Sequence, residues 1–278
     1  MLSIERKKYL EEKAKELRRI IVTMIHESGS GHPGGALSVA DIVAALYYDE
    51  LKINPAEPKW KERDRVILSK GHTCPVIYAV LAMKGYYDFE IVHTLRKMGS
   101  ILQGHPDMKK VPGLDMTSGS LGQGLSAGAG MAFGAKFDGL DSRVFVILGD
   151  GEIQEGQVWE AAMTAAKYKL NNLIAIVDAN NLQVDGCCSE IMPVMPIDEK
   201  FEAFGWKVFN IDGHSMEEIL QVFENMKEVK DKPICIVART VKGKGVSYME
   251  NECDWHGLSP DESQYKIAMQ ELGGESFE

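Results

Sequence analysis

An aspartate between two glycines, Asp150 in the segment GDG, ends an apolar run that is typical of a buried strand. Two further acids follow at Glu152 and Glu155, where a helix is predicted to begin. A helix N-terminus often receives phosphate directly. Carboxylates at this position therefore suggest that a metal ion stands between the protein and a phosphate. An ordinary Asp-Gly turn is the alternative, and the tripeptide alone does not decide between the two.

A pair of asparagines, Asn180 and Asn181, follows the next predicted strand about thirty residues later. Neighbouring parallel strands end at the same edge of a sheet, so we expect Asp150 and these amides to face one point. Carboxylate and amide oxygens suit a hard cation such as Mg²⁺ or Ca²⁺, and Mg²⁺ is often shared with phosphates. The spacing favours a metal site for a phosphate-bearing ligand over a simple strand-end turn.

Glycine-rich loops hold four of the seven histidines. Imidazole can donate, accept or shuttle a proton near neutral pH, and loops often carry functional groups. A single loop histidine is commonly just solvated, but four such loops predict a cluster. The four are His32, His72, His105 and His256, whereas His26, His93 and His214 are predicted to be structural.

The elements that must position these residues form an alternating pattern of strands and helices. Short runs rich in valine and isoleucine are apolar on both faces, as in buried parallel strands. Alternation with helices predicts an α/β fold, a doubly wound, mostly parallel sheet with helices on both faces. The predicted strands are 65–68, 144–148, 173–177, 208–211 and 234–237.

Helices are predicted wherever apolar residues recur at steps of three and four. The glycine-rich segment 28–35 is expected to be irregular, with Ser38 capping the helix that follows. The predicted helices are 4–27, 39–51, 75–84, 120–137, 153–169 and 215–229.

Composition indicates one globular domain over residues 1–278, with a loose tail beyond about residue 270. The net charge of −10 excludes broad attraction to nucleic acid or to an anionic membrane.

The five cysteines form neither a C-x-x-C pair nor a zinc spacing. Such cysteines are typical of a reducing compartment. The first residues are too charged for a signal peptide, and no apolar stretch approaches the ~18 residues of a membrane span. We therefore expect a cytoplasmic protein.

The segment GQGLSA, residues 122–127, matches the dinucleotide pattern G-x-G-x-x-A. No strand is predicted before it, and no second strand ends in an acid at the required distance. The sequence therefore argues against a nicotinamide or flavin dinucleotide site.

The run from GDG to DANN resembles the signature of thiamine diphosphate enzymes. The segments SGHPGG, LSKGHT, QGHPD, TSGSLGQG and WHG occur in the order found in transketolases, and the resemblance covers residues 10–258. It implies the thiamine diphosphate-binding fold and transfer of a two-carbon ketol unit from a ketose phosphate to an aldose acceptor. It also implies thiamine diphosphate held through Mg²⁺, which Ca²⁺ or Mn²⁺ can replace.

The resemblance assigns roles at matching positions. It implies that Asp150 and Asn180 ligate the metal through side chains, and Leu182 through its carbonyl. The remaining cofactor contacts that it implies are Gly151 and Glu152 for the diphosphate, Gly119 and Leu121 for the aminopyrimidine, and His72. It places the four loop histidines, including His32, His105 and His256, around the thiazolium and the donor ketose. Glu155 and Glu160 match acids that face a partner subunit, and Glu155 is also a catalytic candidate.

The resemblance further implies a split enzyme, because transketolases continue into a pyrimidine-binding domain and a C-terminal domain. The expected partner is a C-terminal transketolase subunit carrying the pyrimidine-binding domain, in a two-fold heterotetramer. The small residues of 119–130 are expected to allow close approach of another backbone or helix.

Three questions stay open at this point. The loop KGKG, residues 242–245, departs from many transketolases and resembles deoxyxylulose-phosphate synthases. Another thiamine diphosphate enzyme, of the deoxyxylulose-phosphate synthase or keto acid dehydrogenase kind, is one alternative; a non-catalytic half that binds cofactor or partner is another. The order of the histidine loops in the sequence argues against the first alternative, another kind of thiamine diphosphate enzyme. The sugar substrate is not determined.

Overall fold

The computed structural model describes residues 3–274. Five parallel strands form a sheet in the order β1-β2-β3-β7-β6, and β4 and β5 form a separate two-residue antiparallel hairpin. The strands are β1 (Arg65–Leu68), β2 (Val144–Gly149), β3 (Leu173–Ala179), β4 (Leu182–Gln183), β5 (Gly186–Cys187), β6 (Lys207–Asp212) and β7 (Ile234–Arg239).

Helices cover both faces of the sheet. In the described part of the chain the α-helices are α1 (Ile4–Ser28), α2 (Pro33–Ser38), α3 (Ala40–Ala45), α4 (Pro75–Met83), α5 (Gln123–Phe137), α6 (Gly156–Lys167), α7 (Cys188–Ile191), α8 (Ile197–Ala203), α9 (Met216–Met226) and α10 (Glu262–Glu271). Short 3₁₀ helices occupy Gly71–Thr73, Phe89–Thr94, Glu152–Gln154 and Cys253–His256, and Leu46–Glu50 is π-helical. Across residues 3–274, none of these helices is both long and apolar enough to cross a membrane.

The predicted fold class is confirmed: the strands alternate their side chains between two apolar cores. Val146 and Leu148 point into the core beneath α5, α6 and α8, while Phe145 and Ile147 point into the core beneath α1, α3, α4 and α9. Burial on both faces explains why each strand is a continuous apolar run. All five sheet strands lie within two residues of their predicted limits.

The glycine-rich segment before residue 36 differs from the prediction, because α2 begins within it at Pro33. Proline is compatible with a first helical turn, where no backbone N–H needs a partner. The glycines provide close packing: a Cβ on Gly34 would lie 2.8 Å from the Trp255 carbonyl oxygen, and one on Gly35 would lie 2.7 Å from Thr73 Cγ2.

The helix predicted over 39–51 is also corrected. It is shorter, since α3 ends at Ala45 and a π-helical turn follows. Ser38 is not its cap. The Ser38 hydroxyl is buried and makes hydrogen bonds with the Gly35 carbonyl (3.0 Å) and Asp178 Oδ2 (2.6 Å). Tertiary contacts therefore decide the local structure here.

The C-terminal helix α10 was not predicted, although its start carries a recognisable signal. Asp261 and Gln264 form a capping box, each side chain bonding the other residue's backbone N–H. Leu272, just after the helix, is buried in the core, so the loose tail does not begin at residue 270. The rest of the predicted tail, residues 275–278, lies outside the described residues.

The small residues of α5 serve two different surfaces. A Cβ on Gly124 would lie 2.3 Å from Ser69 Oγ, and one on Gly128 would lie 2.6 Å from Val146 Cγ2. These two glycines therefore let the helix approach its own sheet. Gly130 and Gly134 have open space where a side chain would stand. The close approach of another chain, predicted for residues 119–130, is therefore possible only on the face of α5 that carries Gly130 and Gly134.

Candidate active site

The candidate residues converge at the carboxyl edge of the sheet, where loops follow β1, β2, β3 and β7. Gly149 of β2 lies opposite Asp178 of β3, so GDG and DANN are neighbours. These loops enclose a cavity of about 290 Å³, lined among others by His72, Leu121, Asp150, Gly151, Glu155, Asn180, Leu182, Lys242 and His256. Ligands of doubly wound sheets bind at such an edge.

The three predicted metal ligands lie together in this cavity. Asp150 accepts hydrogen bonds from the backbone N–H groups of Gly151 (2.8 Å) and Asn181 (2.5 Å). Asn180 donates its amide N–H to Asp178 Oδ2 (2.9 Å) and accepts one from the Leu182 N–H (3.0 Å) through Oδ1. Asn181 contributes its backbone, in a left-handed conformation (φ 59°), rather than its side chain.

Among residues 3–274, Asp150 forms no salt bridge. Burial and the nearby Asp178 carboxylate raise the pKa of Asp150 to about 6. The neighbouring cation, Lys70, bonds Asp178 at 2.5 Å instead. Carboxylate, amide and carbonyl oxygens form a donor set suited to Mg²⁺ or Ca²⁺. Within residues 3–274, there is no group of three or more His, Cys, Asp or Glu side chains that could hold a metal ion. A hard cation at this site would therefore be held by the carboxylate, amide and carbonyl oxygens together.

Asp178 is a functional residue that the sequence analysis missed. It lies fully buried at the end of β3 and accepts hydrogen bonds from Ser38, Lys70, Asn180 and Thr240. Burial alone would raise the pKa of Asp178, but Lys70 and the hydroxyl donors hold it below the ordinary value. Asp178 thereby orients the Asn180 amide. An acid inside an otherwise apolar strand was the available signal.

Glu152, a predicted cofactor contact, is buried and bonded by the protein itself. Its buried carboxylate accepts hydrogen bonds from the Ser69 hydroxyl and from the N–H groups of Gly122 (2.9 Å) and Gly149 (3.0 Å). These three donors belong to three separate segments, since Gly149 ends β2, Ser69 follows β1 and Gly122 precedes α5. Glu152 therefore holds these segments together, and because it also lines the cavity, its cofactor contact stays a prediction.

Three of the four loop histidines form a compact triad. The ring centroids lie 5.1 Å apart for His32 and His72, 5.5 Å for His32 and His256, and 5.0 Å for His72 and His256. His105 is exposed and lies outside the triad, with its ring near Gly119, where a Cβ would be 3.7 Å from His105 Cδ2. The predicted cluster therefore consists of a half-buried triad with the exposed His105 at its rim.

Burial makes the triad neutral at physiological pH. It lowers the pKa of His72 to about 2, and those of His32 and His256 to about 4. Nearby cations add to this effect: Arg96 Nη2 lies 3.4 Å from His32 Nδ1, and Lys242 Nζ lies 3.0 Å from His256 Nδ1. The sequence analysis missed Arg96 and gave no role to Lys242, since neither lies in a histidine loop.

The segment predicted to contact an aminopyrimidine borders the same cavity. Leu121 is 38% exposed and lines it, and Gly119 lies beside His105. The Ser118 hydroxyl is buried, and no described group bonds it. It lies against Gly71, where a Cβ would be 2.5 Å from Ser118 Oγ, so this hydroxyl is not one of the groups that line the cavity.

Three predicted site residues remain to be placed: Gly151, and the two acids predicted to face a partner subunit, Glu155 and Glu160. A Cβ on Gly151 would lie 3.2 Å from Gln183 Cβ, so the glycine keeps the cavity open beneath the β4–β5 hairpin. Glu155 is exposed at the cavity edge and packs against Gly122. Glu160 is exposed in a groove between α5 and α6, outside the cavity.

Comparison with known proteins identifies the family of this chain. The family model "Transketolase, thiamine diphosphate binding domain" matches residues 10–278. The chain is 45% identical over 263 residues to the 6-deoxy-6-sulfo-D-fructose transketolase subunit SqwG of Clostridium sp. (strain MSTE9), covering 95% of this chain and 96% of that one. It is 41% identical over 263 residues to one subunit of the apulose-4-phosphate transketolase of Phocaeicola vulgatus, covering 95% of this chain and 93% of that one.

A solved transketolase from Campylobacter jejuni superposes with a TM-score of 0.92 at 34% identity, covering 99% of this chain but 44% of that one. The chain thus spans less than half of this solved transketolase and nearly the whole of the two related subunits. The chain belongs to the transketolase family and corresponds to its thiamine diphosphate binding domain.

Proposed function

We propose that this chain is the cofactor-anchoring subunit of a split transketolase, which transfers a two-carbon ketol unit from a ketose phosphate to an aldose acceptor. The observation that carries the proposal is one cavity in which the oxygen ligands Asp150, Asn180 and Leu182 meet His72 and His256, two members of the neutral histidine triad. The related subunits of similar length support a separate partner.

Cofactor and metal would be held from the carboxyl edge of the sheet. Asp150, Asn180 and the Leu182 carbonyl would hold Mg²⁺, and Gly151, which lines the same cavity, would lie against the diphosphate. Thiamine diphosphate, when bound, supplies the carbanion that attacks the ketose carbonyl and the electron sink that follows. Gly119 and Leu121 would contact the aminopyrimidine.

The triad of His32, His72 and His256 would act on the oxygen atoms of the donor ketose. Neutral imidazoles in a partly buried cavity are hydrogen-bond donors aimed at a developing alkoxide, and they can pass a proton to it. His105 would join them from the rim once a partner covers this edge.

The partner would supply the pyrimidine-binding domain and close the site. The groove between α5 and α6, of about 440 Å³, exposes Phe133 and Tyr168 beside Gly130 and Glu160. Apolar rings next to an open glycine suit close approach of another chain. We propose that the partner subunit packs here in a two-fold heterotetramer, with Glu155 at the shared boundary.

The substrate class follows from the two related subunits. One is named for a sulfonated fructose and the other for apulose 4-phosphate, so both names describe sugars with an anionic group. We propose a ketose donor of this class for this chain. A cytoplasmic location stays a prediction; it is supported by the five cysteines, all of which have free thiols.

The experiment that tests cofactor anchoring is the substitution Asp150→Ala. It should abolish Mg²⁺-dependent binding of thiamine diphosphate without unfolding the chain, since it removes a buried, unpaired charge at a cavity edge. Calorimetric titration, with the chain alone at high concentration and with its co-purified partner, measures the affinity. Asn180→Ala should weaken binding too.

Asp138→Ala is the matched control, because Asp138 is exposed at the far end of α5. It should bind the cofactor like the wild type. Wild-type affinity in Asp150→Ala, with circular dichroism confirming the fold, would contradict the assignment of Asp150 as a metal ligand.

A further inference from the structure

Arg96 is held by its backbone in a conformation that arginine rarely adopts. Its φ angle is 59°, in the left-handed region, and its N–H donates to the Leu102 carbonyl (2.8 Å). This region is unfavourable for a residue that has a Cβ, and residues held in it cluster at functional sites. The loop between the 3₁₀ helix Phe89–Thr94 and His105 therefore fixes where the Arg96 side chain begins.

The guanidinium of Arg96 occupies space that a glycine leaves open. A Cβ on Gly104 would lie 2.9 Å from Arg96 Cζ and 3.1 Å from its Nη2. The two outer nitrogens face the glycine-rich segment before α2: Nη1 donates to Ser30 Oγ (3.2 Å), and Nη2 lies 3.4 Å from His32 Nδ1. In the described part of the chain, this side chain makes no other hydrogen bond and no salt bridge. The guanidinium is therefore directed at this segment rather than at an acid.

The direction of the contact with His32 is fixed by the chemistry of arginine. A guanidinium keeps its protons in proteins and has no acceptor, so His32 Nδ1 must accept the hydrogen bond. A neutral imidazole that accepts at Nδ1 carries its proton on Nε2. Burial and the positive charge of Arg96 lower the pKa of His32 to about 4, so the ring is neutral at physiological pH.

The Nε2 side of the His32 ring lies next to the loop that carries His256. A Cβ on Gly257 would lie 3.8 Å from His32 Nε2, and the ring centroids of His32 and His256 are 5.5 Å apart. Among residues 3–274, no group bonds His32 Nε2. The N–H at this nitrogen is therefore free for a ligand.

We propose that Arg96 is a positioning residue that fixes His32 as the Nε2–H tautomer, so that the ring presents a hydrogen-bond donor to an oxygen of the sugar. The catalytic meaning of this proposal rests on the proposed function, whereas the tautomer can be measured without activity. Ser30 would hold the other arm of the guanidinium in place. The proposal also explains why an arginine occupies a left-handed backbone position beside the site.

His214 provides an internal reference with the opposite tautomer. Its Nε2 accepts from the Val241 N–H (2.8 Å), because a backbone N–H can only donate. Its Nδ1 lies 2.8 Å from Asp41 Oδ2 and donates to it. His214 is therefore expected to carry its proton on Nδ1, independently of Arg96.

The test is a long-range ¹H–¹⁵N correlation spectrum of the full chain, labelled on histidine nitrogen, at pH 7.5. We expect protonated Nε2 and unprotonated Nδ1 for His32, and the reverse for His214. His32→Asn and His214→Asn assign the two sets of signals. The wild-type spectrum alone decides whether His32 has the proposed tautomer.

Three variants test whether Arg96 is the cause. Arg96→Met removes the donor, so it should give His32 a measurable fraction of the Nδ1–H tautomer and leave His214 unchanged, which also reports that the variant is folded. Arg96→Lys keeps a donor and should retain Nε2–H. Lys97→Met is the matched control, because it removes an exposed positive charge from the adjacent position. Its histidine signals should match those of the wild type.

A kinetic measurement with the partner present tests the consequence. Arg96→Met should lower kcat about 10- to 100-fold, with less than about a threefold change in cofactor affinity, and Arg96→Lys should recover part of the loss. A wild-type His32 protonated on Nδ1, an unchanged His32 tautomer in Arg96→Met, or an unchanged kcat would overturn the proposal. A wild-type complex without ketol transfer would instead refute the proposed function, and the spectrum would still decide the tautomer.

Discussion

The chemistry of the three clustered histidines depends on where they are buried. Imidazole has an ordinary pKa near 6.5, yet burial lowers that of His72 to about 2. The same cause keeps His32 and His256 neutral throughout the physiological range. Protonation would place positive charges within a cluster whose ring centroids are 5.0 to 5.5 Å apart. These rings are therefore suited to donate hydrogen bonds rather than to bind anions through charge.

Replacing His32 or His256 by alanine is expected to lower turnover far more than cofactor affinity. The His256 ring lines the cavity, the His32 ring centroid lies 5.5 Å from that of His256, and both are proposed to act on the sugar. Groups that act on protons typically contribute about 10²–10⁴ in rate. Steady-state kinetics of the complex with its partner gives kcat, and calorimetry gives the cofactor affinity. His93→Ala is the control, because His93 pairs with Glu27 at the surface. A loss of less than about threefold at both His32 and His256 would reduce them to structural residues.

The sequence was informative about residues whose partners lie nearby in the chain or at the next strand end. Asp150 and Asn180 could be paired because one crossover helix separates their strands. Asp178 could not be recognised, since its donors Ser38, Lys70 and Thr240 lie 62 to 140 residues away in the chain. Such contacts depend on tertiary packing, which has no local pattern.

At the scale of elements, the strands were predictable because both of their faces are buried. The helix α2 could not be predicted, since the four glycines and one proline before residue 36 are equally typical of a loop. Contacts with Trp255 and Thr73 require small residues there, and tertiary packing overrides the low helix propensity of glycine.

Two glycines of α5 provide a matched test of this packing. Gly128→Ala would place a Cβ 2.6 Å from Val146 Cγ2, in a rigid sheet, and should destabilise the chain by about 1–3 kcal/mol. Gly130→Ala meets open space and should stabilise the isolated chain by about 0.5–1 kcal/mol, as alanine restricts the unfolded state. Urea unfolding followed by circular dichroism measures both. Equal stability of the two variants would contradict the assignment of Gly128 to the sheet-facing side.

At the scale of the whole molecule, the proposed site lies at one open edge of the sheet. Asp150, Asn180, Leu182, His72 and His256 all line the cavity there. The exposed rings of Phe133 and Tyr168 leave a groove beside Glu160 that a partner would cover. The family resemblance assigns activation of the aminopyrimidine to a glutamate of the pyrimidine-binding domain. Glu155 cannot replace that glutamate, because it lies on the diphosphate side.

The most direct test of this account measures ketol transfer by the purified chain, alone and with its partner subunit, over a panel of ketose donors with saturating thiamine diphosphate and Mg²⁺. We expect no transfer from the isolated chain, and transfer from a heterotetramer in which both polypeptides co-purify. Robust transfer by the chain alone, with no second polypeptide on a denaturing gel, would contradict the split enzyme. An assembled but inert complex across the whole panel would instead support a non-catalytic cofactor-binding half.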